Sequence, residues 1–281
     1  ILEEKGITSA KDGYSGQAAC GACLVEVGRK AALACATPMQ KVAGQEVVTL
    51  EGLPQGLLRT LGRAFVSKGA VQCGFCTPGF LTRTKILLEN NPDPTRQEVV
   101  KAMRSHLCRC TGYVKIVDAV LEAAAALREG REIPFEKGAG IGVSSPKYRA
   151  FDRAIGRKPF IDDLRFDGMV HGALRFSDHP RARILSIDVS NAGKAPGVIS
   201  VCTSEDIPGK RSVGAIVQYW PVMIKVGETT RYIGDVLAGV VAETEDQARN
   251  AAKLIHVACE VLEPLTDMTK AETSPVKIHA D

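Results

Sequence analysis

The sequence predicts an α+β chain made of three successive units, and three observations carry that reading. Residues 1–52 hold short apolar runs separated by Gly-containing turns, the pattern of small strands. Residues 53–128 place apolar side chains at helical spacing in four stretches, the pattern of a compact bundle. After a charged, then Gly- and Ser-rich linker over 129–149, strand-like runs return together with one well-capped helix and fill 150–281. With 281 residues, 45% of them hydrophobic, the chain is long enough for two or three small domains with cores of their own.

In order, Ile1 to Gly6 reads as the end of a helix with Gly6 as its C-cap. The chain opens on Ile1 rather than Met and stops at Asp281 after a loop-like tail, so it is expected to be part of a longer protein. Ala22–Val27 and Ala31–Cys35 read as a hairpin turning at Gly28-Arg29-Lys30, with a third strand at Glu46–Leu50. Pro54 opens the first long helix, whose stripe is Leu57, Leu58, Leu61, Ala64 and Phe65, and Gly69 ends it. A second helix runs from Pro78 to about Asn90. Asn90-Asn91-Pro92-Asp93-Pro94 breaks it, and Thr95 with Glu98 forms a capping box for the third. The fourth follows Gly112 with Ile116, Val117, Val120, Leu121, Ala124 and Leu127. In the last unit, Met169–Phe176, Ala182–Val189, Val198–Thr203 and Ile233–Ala242 read as strands. Thr244 and Gln247 cap a helix through Ala248, Ala251, Ala252 and Ile255.

Seven of the nine cysteines carry the chemistry. Cys73 and Cys76 stand where the first two helices meet, and Cys108 and Cys110 where the last two meet, so bundle packing is expected to bring the pairs together. Four thiolates suit Zn²⁺ or an iron–sulfur cluster; the C-x-C half favours the cluster, because structural zinc sites space paired ligands two to four residues apart. Upstream, Cys20, Cys23 and Cys35 give C-x2-C-x11-C in a loop of small residues, where backbone N–H groups can approach cluster sulfides. A plant-type [2Fe-2S] loop adds a cysteine at x4 before the C-x2-C. That position is Ser15 here, or Tyr14 if the loop is one residue longer. Three readings stay open: an oxygen ligand from Ser15 or Tyr14, an empty or partly filled site, or a cysteine misassigned at 14 or 15.

The remaining candidates have plainer roles. Cys202 and Cys259 lie alone in apolar runs and read as core. His106 reads as local structure, and His171 and His179 as strand and turn residues without a third metal partner. The net charge of +4, scattered basic residues and 5% aromatics give a nucleic-acid surface little support. No apolar run approaches the ~18 residues of a membrane span, and no signal peptide is expected at the start. Clustered thiols kept for metal point to a reducing compartment, most simply the cytoplasm.

The stretches Gln72-Cys73-Gly74-Phe75-Cys76-Thr77-Pro78-Gly79 and Cys108-Arg109-Cys110-Thr111-Gly112-Tyr113 closely resemble the helical [2Fe-2S] domain of the molybdenum hydroxylases, the xanthine dehydrogenase and aldehyde oxidoreductase family. Lys11-Asp12-Gly13 with Cys20-Gly21-Ala22-Cys23 resembles that family's first, β-grasp ferredoxin-like domain. Gly168-Met169-Val170-His171-Gly172-Ala173-Leu174, Pro196-Gly197-Val198-Ile199-Ser200-Val201 and Arg231-Tyr232-Ile233-Gly234-Asp235-Val236-Leu237-Ala238 resemble its α/β hammerhead domain. The resemblance implies two [2Fe-2S] clusters, on Cys20, Cys23 and Cys35 and on Cys73, Cys76, Cys108 and Cys110. It also implies a molybdopterin cofactor approached by Gln72 and Cys110, and oxidative hydroxylation of purines, other N-heterocycles or aldehydes. The linker is too short for a flavin domain, so FAD is expected on a separate subunit or another acceptor, with a molybdopterin-binding domain or subunit as partner, in an oligomer. No catalytic residue is expected within these 281 residues.

Overall fold

In the computed structural model, which describes residue 2 and residues 5–134 and 140–276, the hairpin is β1 (Leu24–Val27) with β2 (Lys30–Leu33). The strands pair antiparallel, Leu24 opposite Leu33 and Val27 opposite Lys30. Gly28 and Arg29 both take positive φ, 53° and 64°, as a two-residue hairpin turn requires. A short helix, α1 (Met39–Val42), leads to β3 (Val47–Val48), which closes a sheet in the order β2-β1-β3. Half of the helix end expected at Ile1–Gly6 falls on residues outside those described; Gly6 has positive φ, 71°.

The four expected helices are present: α2 (Gln55–Ser67), α3 (Thr77–Asn90), α4 (Arg96–Met103) and α5 (Val114–Glu129). Thr95 and Glu98 complete the capping box, and Gly130 ends α5 in the left-handed conformation at φ 63°. Leu61, Phe65, Phe80, Leu81, Ile116 and Val120 fill the shared core with 1% exposure or less. α3 also packs on β1, where Lys85 pairs with Glu26, both buried; Lys85 reaches Glu89 as well.

Residues 135–139 of the expected linker lie outside the described residues. The third domain is expected to start at 150, and the residues just past that point pack on the bundle. Helix α6 (Ala150–Ala154) packs on α2 and α3, and Ala150, Phe151, Ala154 and Ile155 join the core of the bundle. Gly62 of α2 makes room for them: a Cβ there would stand 2.7 Å from the Phe151 ring. The chain therefore divides into units 1–164 and 165–281. The apolar spacing that makes α6 a helix gives no sign of which core it joins.

The second unit contains β4 (His171–Phe176), β5 (Ala182–Asp188), α7 (Ser190–Gly193), β6 (Val198–Cys202), β7 (Ser212–Val213), β8 (Trp220–Pro221), β9 (Val236–Ala242), α8 (Glu245–Lys253), β10 (His256–Val261) and α9 (Met268–Ala271). β4, β9 and β6 form one antiparallel sheet in that order; β5 pairs with β10 and β7 with β8. α8, capped by Thr244 and Gln247, lays Ala248, Ala251 and Ala252 on β4 and β9. Cys202 reaches the Gly239 carbonyl from β6, and Cys259 packs on Ile184, Ile224 and Leu237, both as half-buried core thiols. No helix among the described residues is long and apolar enough to cross a membrane.

Candidate metal centres

All seven metal-type cysteines lie in the first unit as free thiols, in two groups. In the bundle, Cys73 contacts Cys110 and Cys76 contacts Cys108, so each contact takes one sulfur from the α2–α3 junction and one from the α4–α5 junction. Among the described residues no three His, Cys, Asp or Glu side chains take the arrangement of a single-ion site. Two interleaved sulfur pairs are instead the donor pattern of a two-iron centre held by four cysteines.

The electrostatics agree with that use. Burial, then the neighbouring Cys108 and Cys73, push the Cys76 thiol far up. Cys73 is raised by burial, against a backbone hydrogen bond from Phe75, with Cys110 and Cys108 adding to the rise. Burial also opposes the Cys108 thiolate, but the Thr111 hydroxyl, 3.1 Å from its sulfur, and the N–H groups of Cys110 and Thr111 hold it below its ordinary value. Packing thiols this closely is unfavourable for their ionised forms unless a cation joins them.

The upstream group is Cys20 and Cys23, both buried, with Cys35 exposed. Burial, then the Cys35 and Cys20 sulfurs, raise Cys23 to about 11, against a backbone hydrogen bond from Cys35. The loop before it curls tightly. Ser15, Gly16, Ala18 and Gly21 all have positive φ, at 47°, 78°, 57° and 70°. Gly13 lies against the metal side of the loop, since a Cβ there would stand 3.1 Å from the Cys20 sulfur. This is the close backbone approach that a cluster needs, and it fits the residues present.

The two groups are joined. The N–H of Leu107, next to Cys108, donates to the Cys20 carbonyl at 2.9 Å. Gly21 and Gly79 touch through their backbones: a Cβ on Gly79 would meet the Gly21 oxygen at 2.4 Å, and one on Gly21 would meet the His106 ring at 2.8 Å. His106 is 2% exposed and stacked at a tilt on Phe80; burial, then the charge of Arg83, depress it to about 4, so it is neutral. It fills the space between the two loops, in line with the local role expected for it.

Sequence reasoning missed the strap that holds these loops. Lys147 Nζ donates to the Gln72 carbonyl at 3.1 Å, and Arg153 donates to the Cys73 carbonyl at 3.2 Å. Lys11, buried beside the upstream loop, pairs with Asp163 and lies over the Phe160 ring. Charges far apart in sequence leave no periodic signal, so nothing in the sequence marks Lys11, Lys147 or Arg153. Gln72 and Cys110 are both exposed. His171 and His179 belong to the second unit.

Comparison with known proteins finds two family matches, the second of which starts inside the first compact unit. Residues 49–121 match the family described as [2Fe-2S] binding domain, and residues 155–263 the aldehyde oxidase and xanthine dehydrogenase a/b hammerhead domain. The chain is 34% identical over 300 residues to an aldehyde oxidoreductase of Megalodesulfovibrio gigas, an alignment covering 99% of this chain and 33% of that protein. It is 44% identical over 121 residues to the nicotinate dehydrogenase small FeS subunit of Eubacterium barkeri, covering 43% of this chain and 76% of the relative. The solved aldehyde oxidoreductase of Desulfovibrio desulfuricans superposes with a TM-score of 0.90 at 35% identity, over 99% of this chain and 33% of that one. The chain thus spans about a third of the aldehyde oxidoreductases it matches.

Proposed function

The chain belongs to the molybdenum hydroxylase family, that of xanthine dehydrogenase and aldehyde oxidoreductase, and from that premise we propose that it is the electron-transfer portion of such an enzyme. Cys73, Cys76, Cys108 and Cys110 hold one [2Fe-2S] cluster, and Cys20, Cys23 and Cys35 contribute to another. Bound there, the clusters supply one-electron carriers between a molybdopterin site and an external acceptor. Burial of Cys20 and Cys23 keeps water from the inner side of the upstream site. The N–H groups around Cys108 stabilise its thiolate. The Leu107–Cys20 hydrogen bond fixes the spacing of the two sites.

The observation that carries this reading is the pairing of sulfurs across the two helix junctions, with that hydrogen bond leading to the second thiol group. The exposed Gln72 and Cys110 support the approach of a pterin at this end of the bundle. The whole enzyme hydroxylates an aldehyde, a purine or another N-heterocycle, with its molybdenum site in a further domain or subunit and a flavin subunit or other carrier as acceptor. Nine free thiols fit work in a reducing compartment, most simply the cytoplasm.

Iron, acid-labile sulfide, zinc and molybdenum analysis, with EPR after dithionite reduction, tests the proposal. Two distinct [2Fe-2S] signals are expected. Zinc without sulfide would sink it, and clusters on a protein that never associates with a molybdopterin partner would reduce it to a stand-alone carrier.

A further inference from the structure

Three thiols leave the upstream site one ligand short of the four that a [2Fe-2S] cluster takes. Resting on the cluster reading above, we propose that the Ser15 oxygen is the fourth ligand, so that the upstream cluster is held by three cysteines and one serinate.

The geometry brackets the position. Gly13 lies against the Cys20 sulfur, and a Cβ on Gly16 would stand 4.0 Å from the Cys35 carbonyl oxygen. Residues 14 and 15 therefore span the gap between two of the three cysteines. Asp12 pins this span: its Oδ1 accepts from the N–H of Tyr14 at 3.2 Å and of Gly16 at 3.3 Å. The Gln17 N–H closes the turn on the Tyr14 carbonyl at 3.1 Å, with Ser15 at its tip. Ser15 has φ 47°, a left-handed conformation that a residue with a Cβ rarely adopts.

Reach separates Ser15 from Tyr14. A serine oxygen sits one bond beyond Cβ, as a cysteine sulfur does, so it enters a thiolate's place without moving the backbone. The phenol oxygen of Tyr14 lies at the far end of a ring and would overshoot a thiolate's place; both residues are exposed, so reach and not burial separates them. Ser15 also stands at the x4 position before Cys20. Its hydroxyl makes no hydrogen bond among the described residues, so ligation breaks none. On binding, the O–H bond breaks, the Fe–O bond forms and the proton leaves to water. Oxygen is a harder donor than sulfur and favours ferric iron, so this cluster has a lower reduction potential and charge-transfer bands shifted to higher energy.

The test uses the full chain with clusters assembled, comparing wild type, S15C, S15A and Y14F by iron and sulfide content, visible absorption, EPR and redox titration. Wild type is expected to hold four irons and four sulfides. S15C keeps that content while the upstream signal moves and its potential rises. S15A loses up to half the iron and sulfide, and Y14F changes nothing. The bundle cluster's signal stays constant in all four and reports that the protein is folded. An upstream signal and potential unaltered in S15A would overturn the proposal, as would a shift in Y14F. So would a wild type with two irons that gains two more only as S15C, which would mark the site as vacant. If the bundle signal is missing from every variant, the cluster reading itself fails, and this proposal with it.

Discussion

Thiols that share a site inhibit one another's ionisation, and here the inhibition is uneven. Cys108 is held low by Thr111 and two N–H groups, while Cys23 is raised to about 11 and Cys76 higher still. Because the thiolate is the nucleophile, iodoacetamide at pH 8 should label Cys108 of cluster-stripped protein first, and Cys23 and Cys76 last, as read by peptide mapping. Gly79 gives a steric prediction. Its Cβ position is filled by a backbone oxygen rather than a flexible side chain, so G79A must push the two cysteine loops apart. It should cost about 1–3 kcal/mol in denaturant unfolding and lower the iron content. The seven cysteines and the gap at Ser15 were legible in sequence because ligand spacing is a local property. Lys11, Lys147 and Arg153 were not, since each meets its partner across 75 or more residues.

Elements with local punctuation were read correctly from sequence. Both capping boxes formed, at Thr95–Glu98 and Thr244–Gln247, and T95A and T244A should each cost about 1 kcal/mol, measured by chemical denaturation. Short elements set by tertiary contact were missed, among them α1, α6 and the β7–β8 hairpin. β1 shows why alternation fails as a guide: all four of its residues are buried, Glu26 included. α3 covers Glu26 and supplies Lys85. Removing one partner of a buried pair leaves an uncompensated charge, so K85A should destabilise by about 3 kcal/mol, softened where Glu89 opens to solvent. Replacing both Glu26 and Lys85 with apolar residues of similar volume should restore most of that loss.

At the scale of the whole molecule, two units with separate cores predict two unfolding steps in calorimetry rather than one. Groups bound only by the folded state stabilise the unit that binds them. Stripping iron should therefore lower the transition of residues 1–164 and leave that of 165–281 in place; a shift of both would show that the units unfold together. The mixed α+β class was legible, as were the [2Fe-2S] and hammerhead domains in that order. The packing of residues 150–155 was not, because they follow the linker in sequence and yet pack backwards on the bundle core. That backward packing has a consequence in time. The seven metal-type cysteines precede residue 111, whereas Arg153, which closes over the Cys73 loop, is made 43 residues after Cys110. At ribosomal speeds of about 5–20 residues per second, the nascent chain spends roughly 2–9 s with its thiols made and its strap unmade. Iron delivered in that interval meets a Cys73 loop not yet braced by Arg153; iron delivered later meets it already held.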